Sequence, residues 1–392
     1  MSTGPALDPS APLAPAQAET ELLPETRLPV AELGPLRPAD ARYDVGAEVG
    51  CGGMGKVLRA DDTLLRRPVA LKLLSAPGDP EARARFLREA QLTSQLDHAA
   101  VLPVYDLGRD TEGNLFFSMK LVSQHETLND VIERLRAGDP EAHQTYSFQR
   151  RVQLVQRVCE ALHYAHQRGV VHRDIKPANV VLSRYGEVFL ADWGIAKLTG
   201  EGPAPQAPEG PPRLAPEYQA FETEEGALVG TVAYMAPEQL SQGVTDALTD
   251  VYSLCALLYE FLSLHYYLGE VSNESVFMAV VGRVPKPAEA YHSAQNGRVP
   301  RALSYICARG LNKNRAYRFQ SARELEQALQ LWLEGSAPIV CAGTCMKRVL
   351  TTWSHAIDRR PVLAPIASFV VAALFLRWLI VTAQDLWTLL AS

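Results

Sequence analysis

Cysteine is scarce in this chain. Six of 392 residues (Cys51, Cys159, Cys255, Cys307, Cys341 and Cys345) are scattered along it. That is far below the density of a disulfide-stapled scaffold, so a reduced, cytosolic setting is expected for most of the chain. The Cys341/Cys345 pair has no second His/Cys pair nearby and does not predict a zinc site. Strong charge is also missing. The net charge is −6 and no long basic run appears, which argues against a nucleic-acid partner. The first thirty residues lack the charged-then-apolar start of a signal peptide. No internal repeat is visible. What remains is an ordinary globular balance, 47% apolar and 21% charged, in a chain long enough for two or three units.

Residues 1–42 are rich in Pro, Ala and Glu without helical or alternating apolar period. Such a stretch buries too little surface to offset its ordering entropy, so a disordered arm is expected. The texture changes at Tyr43. The runs "YDVGAEVG", "KVLRAD" and "PVALKLL" are β-branched, short and separated by Gly-rich or Arg/Pro turns, the pattern of strands in one antiparallel sheet. "PEARARFLREAQLTSQL" follows with Phe86, Leu87, Ala90 and Leu92 on one helical face. Two more strands are expected near "VLPVYDLG" and "LFFSMKLV". From Leu128 to Leu333 helical patterns dominate, broken by one strand-like patch at 180–191. A β-rich part followed by a helical part predicts two lobes with a cleft between them. The Pro/Gly/Ala tract at 200–216 reads as a solvated loop.

"GCGGMGKV" at 50–57 lies between two expected strands. Its glycines at 50, 52 and 55 would let the backbone approach a phosphate chain without β-carbons in the way. Alone, the pattern fits a tight hairpin equally well. A Rossmann reading would need a helix after the glycines, and a strand follows instead. In "VALK", Lys72 would ordinarily be a snorkelling surface residue. Glu89, on the expected helix 17 residues on, can turn inward to meet it, and a lysine held by a carboxylate can bridge nucleotide phosphates. "VVHRDIKPANVVL" at 170–182 sets Asp174, Lys176 and Asn179 in a polar loop between apolar flanks. Asn179 and the later Asp192 are hard oxygen ligands of the kind Mg²⁺ prefers. Asp174 can accept a hydroxyl proton, and Lys176 can neutralise charge on a transferred phosphoryl group.

Taken in order over residues 43–333, these stretches resemble the eukaryotic-type protein kinases, and among them the bacterial serine/threonine kinases. The resemblance implies an α+β, bilobal protein kinase fold, with an antiparallel β-rich N-lobe at 43–121 and a mainly helical C-lobe at 122–333. It implies binding of ATP with Mg²⁺, or Mn²⁺ in its place. Val49, Gly50, Cys51, Gly52, Gly53, Met54, Gly55, Lys56 and Val57 become the phosphate-covering loop, with Val57 and Ala70 against adenine. Lys72 and Glu89 become the ion pair of the active state. Asp174 is the base that orients the substrate hydroxyl, and Asn179 and Asp192 are the metal ligands. Met119 stands at the back of the adenine pocket, with Lys120 to Val122 as a hinge that binds the base through its backbone. Lys120 departs from the more usual acid. Thr231 of "GTVAYMAPEQL" would contact Asp174 and Lys176. Of two Ala-Pro-Glu triplets, the one ending at Glu238 has the Gly-Thr before it and a helical pattern after it. Glu238 would pair with Arg318, and Asp250 would brace the catalytic loop. Cys255 replaces a glycine usual in the family. Trp193 stands where phenylalanine is usual and brings an N–H that needs a partner. Thr223, flanked by Glu222, Glu224 and Glu225, is the expected phosphorylation site.

Residues 334–361 look like a linker, and 362–383, "VLAPIASFVVAALFLRWLIVTA", carry one charge, Arg377. As a helix the run is about 33 Å long, enough to cross the hydrocarbon layer. Twelve Val, Leu, Ile and Phe residues favour insertion by roughly 4–7 kcal/mol, against about 3 for the arginine. A transmembrane helix is expected, with a short tail at 384–392. Lys347, Arg348, Arg359 and Arg360 precede it and no Lys or Arg follows, which would keep the kinase domain on the cytoplasmic face of a cell membrane. The competing expectation is a helix docked on the helical lobe or on a partner, in a cytoplasmic protein. The expected function is a membrane-tethered serine/threonine kinase acting on protein hydroxyls and on a second copy of itself as a homodimer. The alternative is a kinase-fold scaffold without turnover. The complete set Lys72, Glu89, Asp174, Lys176, Asn179 and Asp192 favours the enzyme.

Overall fold

The computed structural model describes residues 42–336 except 53–54, 77, 123–124, 194–196, 199–231, 242, 270 and 273–274, together with Arg377. Five of the expected strand runs pair antiparallel in the order β1-β2-β3-β5-β4. They are β1 (Tyr43–Gly52), β2 (Gly55–Asp62), β3 (Arg67–Leu74), β4 (Val104–Arg109) and β5 (Leu115–Lys120). Val69, Ala70 and Leu71 of β3 are buried, as a strand with neighbours on both sides requires. Tyr43, Ala60, Val69, Leu71 and Phe116 form a core cluster on this sheet. Asp62 is buried at the end of β2. Arg42 offsets that burial with two hydrogen bonds of 2.8 and 3.2 Å.

Helix α1 (Pro80–Gln95) starts where Asp79 accepts the Glu81 N–H at 2.9 Å and proline occupies the first turn. Its expected apolar residues Phe86, Leu87, Ala90 and Leu92 are buried, and Glu89 is buried with them. The second lobe holds α2 (Leu128–Arg136), α3 (Pro140–Thr145), α4 (Phe148–Gln167), the single turn α5 (Pro237–Leu240), α6 (Ala247–Ser263), α7 (Val276–Gly282), α8 (Arg301–Gly310) and α9 (Ala322–Leu333). Every residue of α6 from Thr249 to Ser263 is buried, as befits a helix apolar on all sides. It packs against α4, α8 and α9. Cys255 fits into α6 because α8 presents Gly310 to it: a Cβ there would stand 2.0 Å from the Cys255 sulfur.

The strand-like patch at 180–191 is a hairpin. Its strands β8 (Val180–Leu182) and β9 (Val188–Leu190) are joined through Gly186 at φ +84°, with β6 (Glu126–Thr127) beside them. Two further pairs were not expected, β7 (Val170–Val171) with β10 (Lys197–Leu198) and β11 (His292–Ser293) with β12 (Gly297–Arg298). Strands of two or three residues are too short for alternation to register. Among the described residues no helix is long and apolar enough to cross a membrane. The expected span at 362–383 lies outside them except for Arg377, as do almost all of the linker and the arm at 1–42 except its last residue, Arg42, which is held by its bonds to Asp62 and Asp106.

Candidate active site

Between the sheet and the β8–β9 hairpin lies a cavity of about 380 Å³, within the usual range for a small-molecule site. Val49, Gly50, Gly55, Val57 and Ala70 line it from the sheet, and Met119 to Val122 from the end of β5. Gly55 is glycine for a reason that concerns the strands. A Cβ there would sit 2.2 Å from the Leu73 carbonyl of β3, whereas one on Gly50 would meet nothing nearer than the Val57 Cβ at 3.9 Å. Cys51, Gly52 and Lys56 continue the β1–β2 ladder, with Gly52 opposite Gly55. Gly53 and Met54 fall outside the described residues.

Lys72 sits on β3 and its Nζ is 2.6 Å from Glu89 Oε1 and 3.5 Å from Asp192 Oδ1. Burial alone would push the ammonium down, but the two carboxylates outweigh it and hold Lys72 above its ordinary value. Burial, only partly opposed by Lys72, pushes the Glu89 carboxyl up to about 7. Glu89 Oε2 is buried without a hydrogen-bond partner. Burial also disfavours ionised Asp192. Lys72, His172 and Lys176 overcome that and keep it below the usual carboxylate range.

The polar loop is held by its backbone. Asp250 of α6 is fully buried and accepts the N–H groups of His172 and Arg173, both at 2.8 Å, while His166 lies 2.7 Å from the same carboxylate. These contacts keep Asp250 ionised against its burial, below the ordinary carboxylate range. The His172 ring donates to the Ala191 carbonyl at 3.1 Å and accepts the Asp174 N–H at 3.2 Å. Arg173 and Asp192 both adopt left-handed backbone, φ 71° and 64°, the kind of conformation that surrounding contacts must impose. Asp174 is not a lining residue of the cavity, but it is tied to two that are. Lys176 Nζ is 2.9 Å from its Oδ2, and the Asn179 amide donates to its Oδ2 at 3.0 Å and its carbonyl at 2.8 Å.

Asn179 thus spends its amide nitrogen on Asp174, which leaves its Oδ1 as an available oxygen donor. With Asp192 that makes two hard oxygen donors. Among the described residues no group of three or more His, Cys, Asp or Glu side chains forms a metal cage. Two protein oxygens suit Mg²⁺ that arrives with nucleotide phosphates and keeps its own waters. Trp193 is buried, donates its indole N–H to the Leu190 carbonyl at 3.2 Å and packs 4.5 Å from the His172 ring.

Thr231, like Thr223, lies outside the described residues. Sequence reasoning missed Gln239. Its amide oxygen accepts the Ala236 N–H and its amide nitrogen donates to the Arg173 carbonyl, both at 2.9 Å, so it ties the Ala-Pro-Glu turn to the catalytic loop. It missed His166, which only the fold brings to Asp250, and the cavity residues Thr93, Leu102, His125 and Val181. Glu238 meets Arg318 through two hydrogen bonds of 2.7 and 2.9 Å.

The family model for the protein kinase domain matches residues 43–330. The serine/threonine-protein kinase PknD of Protochlamydia amoebophila is 31% identical over 320 residues, 79% of this chain and 32% of that protein. A probable serine/threonine-protein kinase of Streptomyces coelicolor is 34% identical over 304 residues, covering 76% and 41%. The serine/threonine-protein kinase PknB of Mycolicibacterium smegmatis is 33% identical over 303 residues, covering 76% and 44%. The chain therefore spans between a third and somewhat under half the length of these curated relatives. Because the match runs through the sheet, the cavity and the helical lobe together, the chain belongs to the eukaryotic-type protein kinase family, in the company of bacterial serine/threonine kinases.

Proposed function

We propose that the chain is a serine/threonine protein kinase that transfers the γ-phosphoryl group of ATP to protein hydroxyls. The observation that carries this reading is Lys72, shared between Glu89 at 2.6 Å and Asp192 at 3.5 Å inside one nucleotide-sized cavity. A lysine so held stays charged and points in one direction, which suits the α- and β-phosphates. Mg²⁺ on Asn179 and Asp192 would neutralise and orient the β- and γ-phosphates. Val57, Ala70 and Met119 enclose the adenine, Val122 offers its backbone, and the 49–57 turn covers the phosphates. Asp174 takes the proton of the substrate hydroxyl as its oxygen bonds to the γ-phosphorus and the bond to ADP breaks. Lys176 offsets the charge on the moving phosphoryl group. Lysine two positions after the base supports Ser/Thr rather than tyrosine as acceptor.

In this reading 43–333 is the catalytic domain, 1–42 an arm, 334–361 a linker, 362–383 a single membrane span and 384–392 a tail. The 22-residue apolar run and the basic residues before it support a tether with the kinase on the cytoplasmic side. Trans-autophosphorylation at Thr223 within a homodimer completes the proposal. The deciding experiment is radiolabelled phosphate transfer to a protein acceptor by wild type and Asp174→Asn. Transfer is expected to fall by at least ~10³-fold with the general base and its orienting role removed. Equal signals would overturn the assignment. Extraction of membranes with alkaline carbonate tests the tether, since a chain released into the supernatant is not spanning.

A further inference from the structure

Lys120 stands at the end of β5, where the family more often has an acid. Its backbone N–H donates to the Pro103 carbonyl at 3.1 Å. Its side chain reaches across to the hairpin of the other lobe: Nζ donates to Glu187 Oε1 at 2.8 Å and lies 4.6 Å from the centroid of the Phe189 ring. The Glu187 carboxyl is held below the usual range, first by Lys120 and then by its hydrogen bond with Ser183. Phe189 packs with Leu102 and Val122, and Met119, Val181 and Ala191 join that cluster. The ammonium therefore rests on a ring that packs with the cavity-lining residues Leu102, Met119, Val122, Val181 and Ala191. Glu187 precedes β9, and β9 leads into Asp192, the acid that faces Lys72.

We propose that Lys120 and Glu187 form an electrostatic latch between the hinge strand and the hairpin that carries Asp192, and that Lys120 is thereby a positioning residue for nucleotide binding. The proposal rests on the MgATP reading above. With side chains 32% and 45% exposed, the pair contributes little to global stability. Its leverage is where it pulls. The hinge and the Asp192 strand must close together on one nucleotide, and the latch joins the two through Lys120, which itself lines the cavity. An acid at 120 would face Glu187 across the same gap and hold the two apart.

The test is a charge swap in the full-length chain. Lys120→Glu and Glu187→Lys are each expected to raise the calorimetric Kd for ADP and the KM for MgATP by ~2–5-fold at low salt, the range for an exposed ion pair. KM should move more than kcat. Lys120→Met should give a smaller rise, and the double swap should return both constants to near wild type. The single-variant effect should shrink in ~0.5 M salt, where screening acts within a few ångströms. Thermal midpoints of all four variants report folding separately. Unchanged nucleotide Kd in well-folded single variants, or a double swap no better than the worse single, would overturn the latch. Calorimetric Kd does not depend on phosphoryl transfer. A flat Kd series with an inactive Asp174→Asn sinks the latch alone, and an active Asp174→Asn sinks the kinase reading while the Kd series still judges the latch.

Discussion

Arg318 is buried outside the cavity with every N–H engaged, and replacing it tests how the helical lobe is held. It is 1% exposed, and its five N–H groups all have acceptors. Two go to Glu238, at 2.7 and 2.9 Å; the others reach the carbonyls of Asn312 at 2.7 Å and of Leu248 and Lys313 at 3.3 Å. Arg318→Leu leaves the buried Glu238 carboxylate with the Thr249 hydroxyl at 3.3 Å and a distant Arg315 at 3.8 Å. Breaking a buried pair in this way costs about 3–5 kcal/mol, or roughly 6–15 °C in midpoint for a domain of this size. Arg318→Lys keeps the charge but not the planar fork, so three carbonyls lose their donor and about 2–3 kcal/mol is still expected to go. In urea and thermal unfolding, the double variant Glu238→Leu/Arg318→Leu should be less destabilised than Arg318→Leu alone, because no buried charge is stranded. A lysine variant within ~0.5 kcal/mol of wild type would refute the argument from the fork. A double variant no better than the single would refute the argument from the stranded carboxylate.

The two glycines that border the cavity should separate. Gly55→Ala forces a Cβ against the Leu73 carbonyl and is expected to destabilise the sheet by about 1–3 kcal/mol. Gly50→Ala should leave unfolding unchanged, so any rise in its KM for ATP reports contact with nucleotide. Glu89 predicts a pH dependence of known sign. Its folded pKa, about 7, lies above the unfolded carboxylate value. Its stabilising contribution is therefore complete below about pH 4.3 and is lost as pH rises through 7. Thermal midpoints of wild type minus Glu89→Gln should fall between pH 5 and 8; a flat difference would contradict the shift. In the helical lobe, Gly310→Ala drives a methyl into Cys255 and should cost about 1–3 kcal/mol. Cys255→Gly in the same chain should recover most of it; equal midpoints with and without that second change would show that the two positions do not compete for space.

What was legible in the sequence was whatever local chemistry spells out. The strands β1 to β5 announced themselves by alternation and turn residues, and α1 by a capped, periodic face. The chemical groups were legible too, because Lys72, Asp174, Asn179 and Asp192 are polar residues set among apolar runs where a fold would not otherwise tolerate them. The β8–β9 hairpin was half legible: its two three-residue strands read as one patch, since nothing within six residues marks the turn except Gly186. Gly55 was legible as a glycine, but its close contact within the sheet was not. Its contact is with β3, which lies 18 residues away in the chain and adjacent only in the sheet.

What holds the polar loop acts largely on backbone, and backbone has no letter. Asp250, whose bracing role was expected, grips two N–H groups of the loop from 77 and 78 residues away; His166, which was not expected, touches the same carboxylate, and Gln239, also missed, joins the Arg173 carbonyl to the Ala236 N–H. Arg173 and Asp192 hold left-handed conformations that no glycine advertises. Such backbone persists only where its surroundings over-determine it, so these buried side chains act together with His172, Lys176 and Asn179, which bond Asp174 directly, to fix where Asp174 and Asp192 stand. The indole of Trp193 belongs to the same set. Its N–H reaches the Leu190 carbonyl and its ring the His172 imidazole, whereas a phenyl ring could make only the second contact. The strand that delivers Asp192 is thus pinned on one side by Trp193 and joined to the hinge on the other by the Glu187–Lys120 pair. Loosening either pin should change how nucleotide is held before it changes whether the lobes fold.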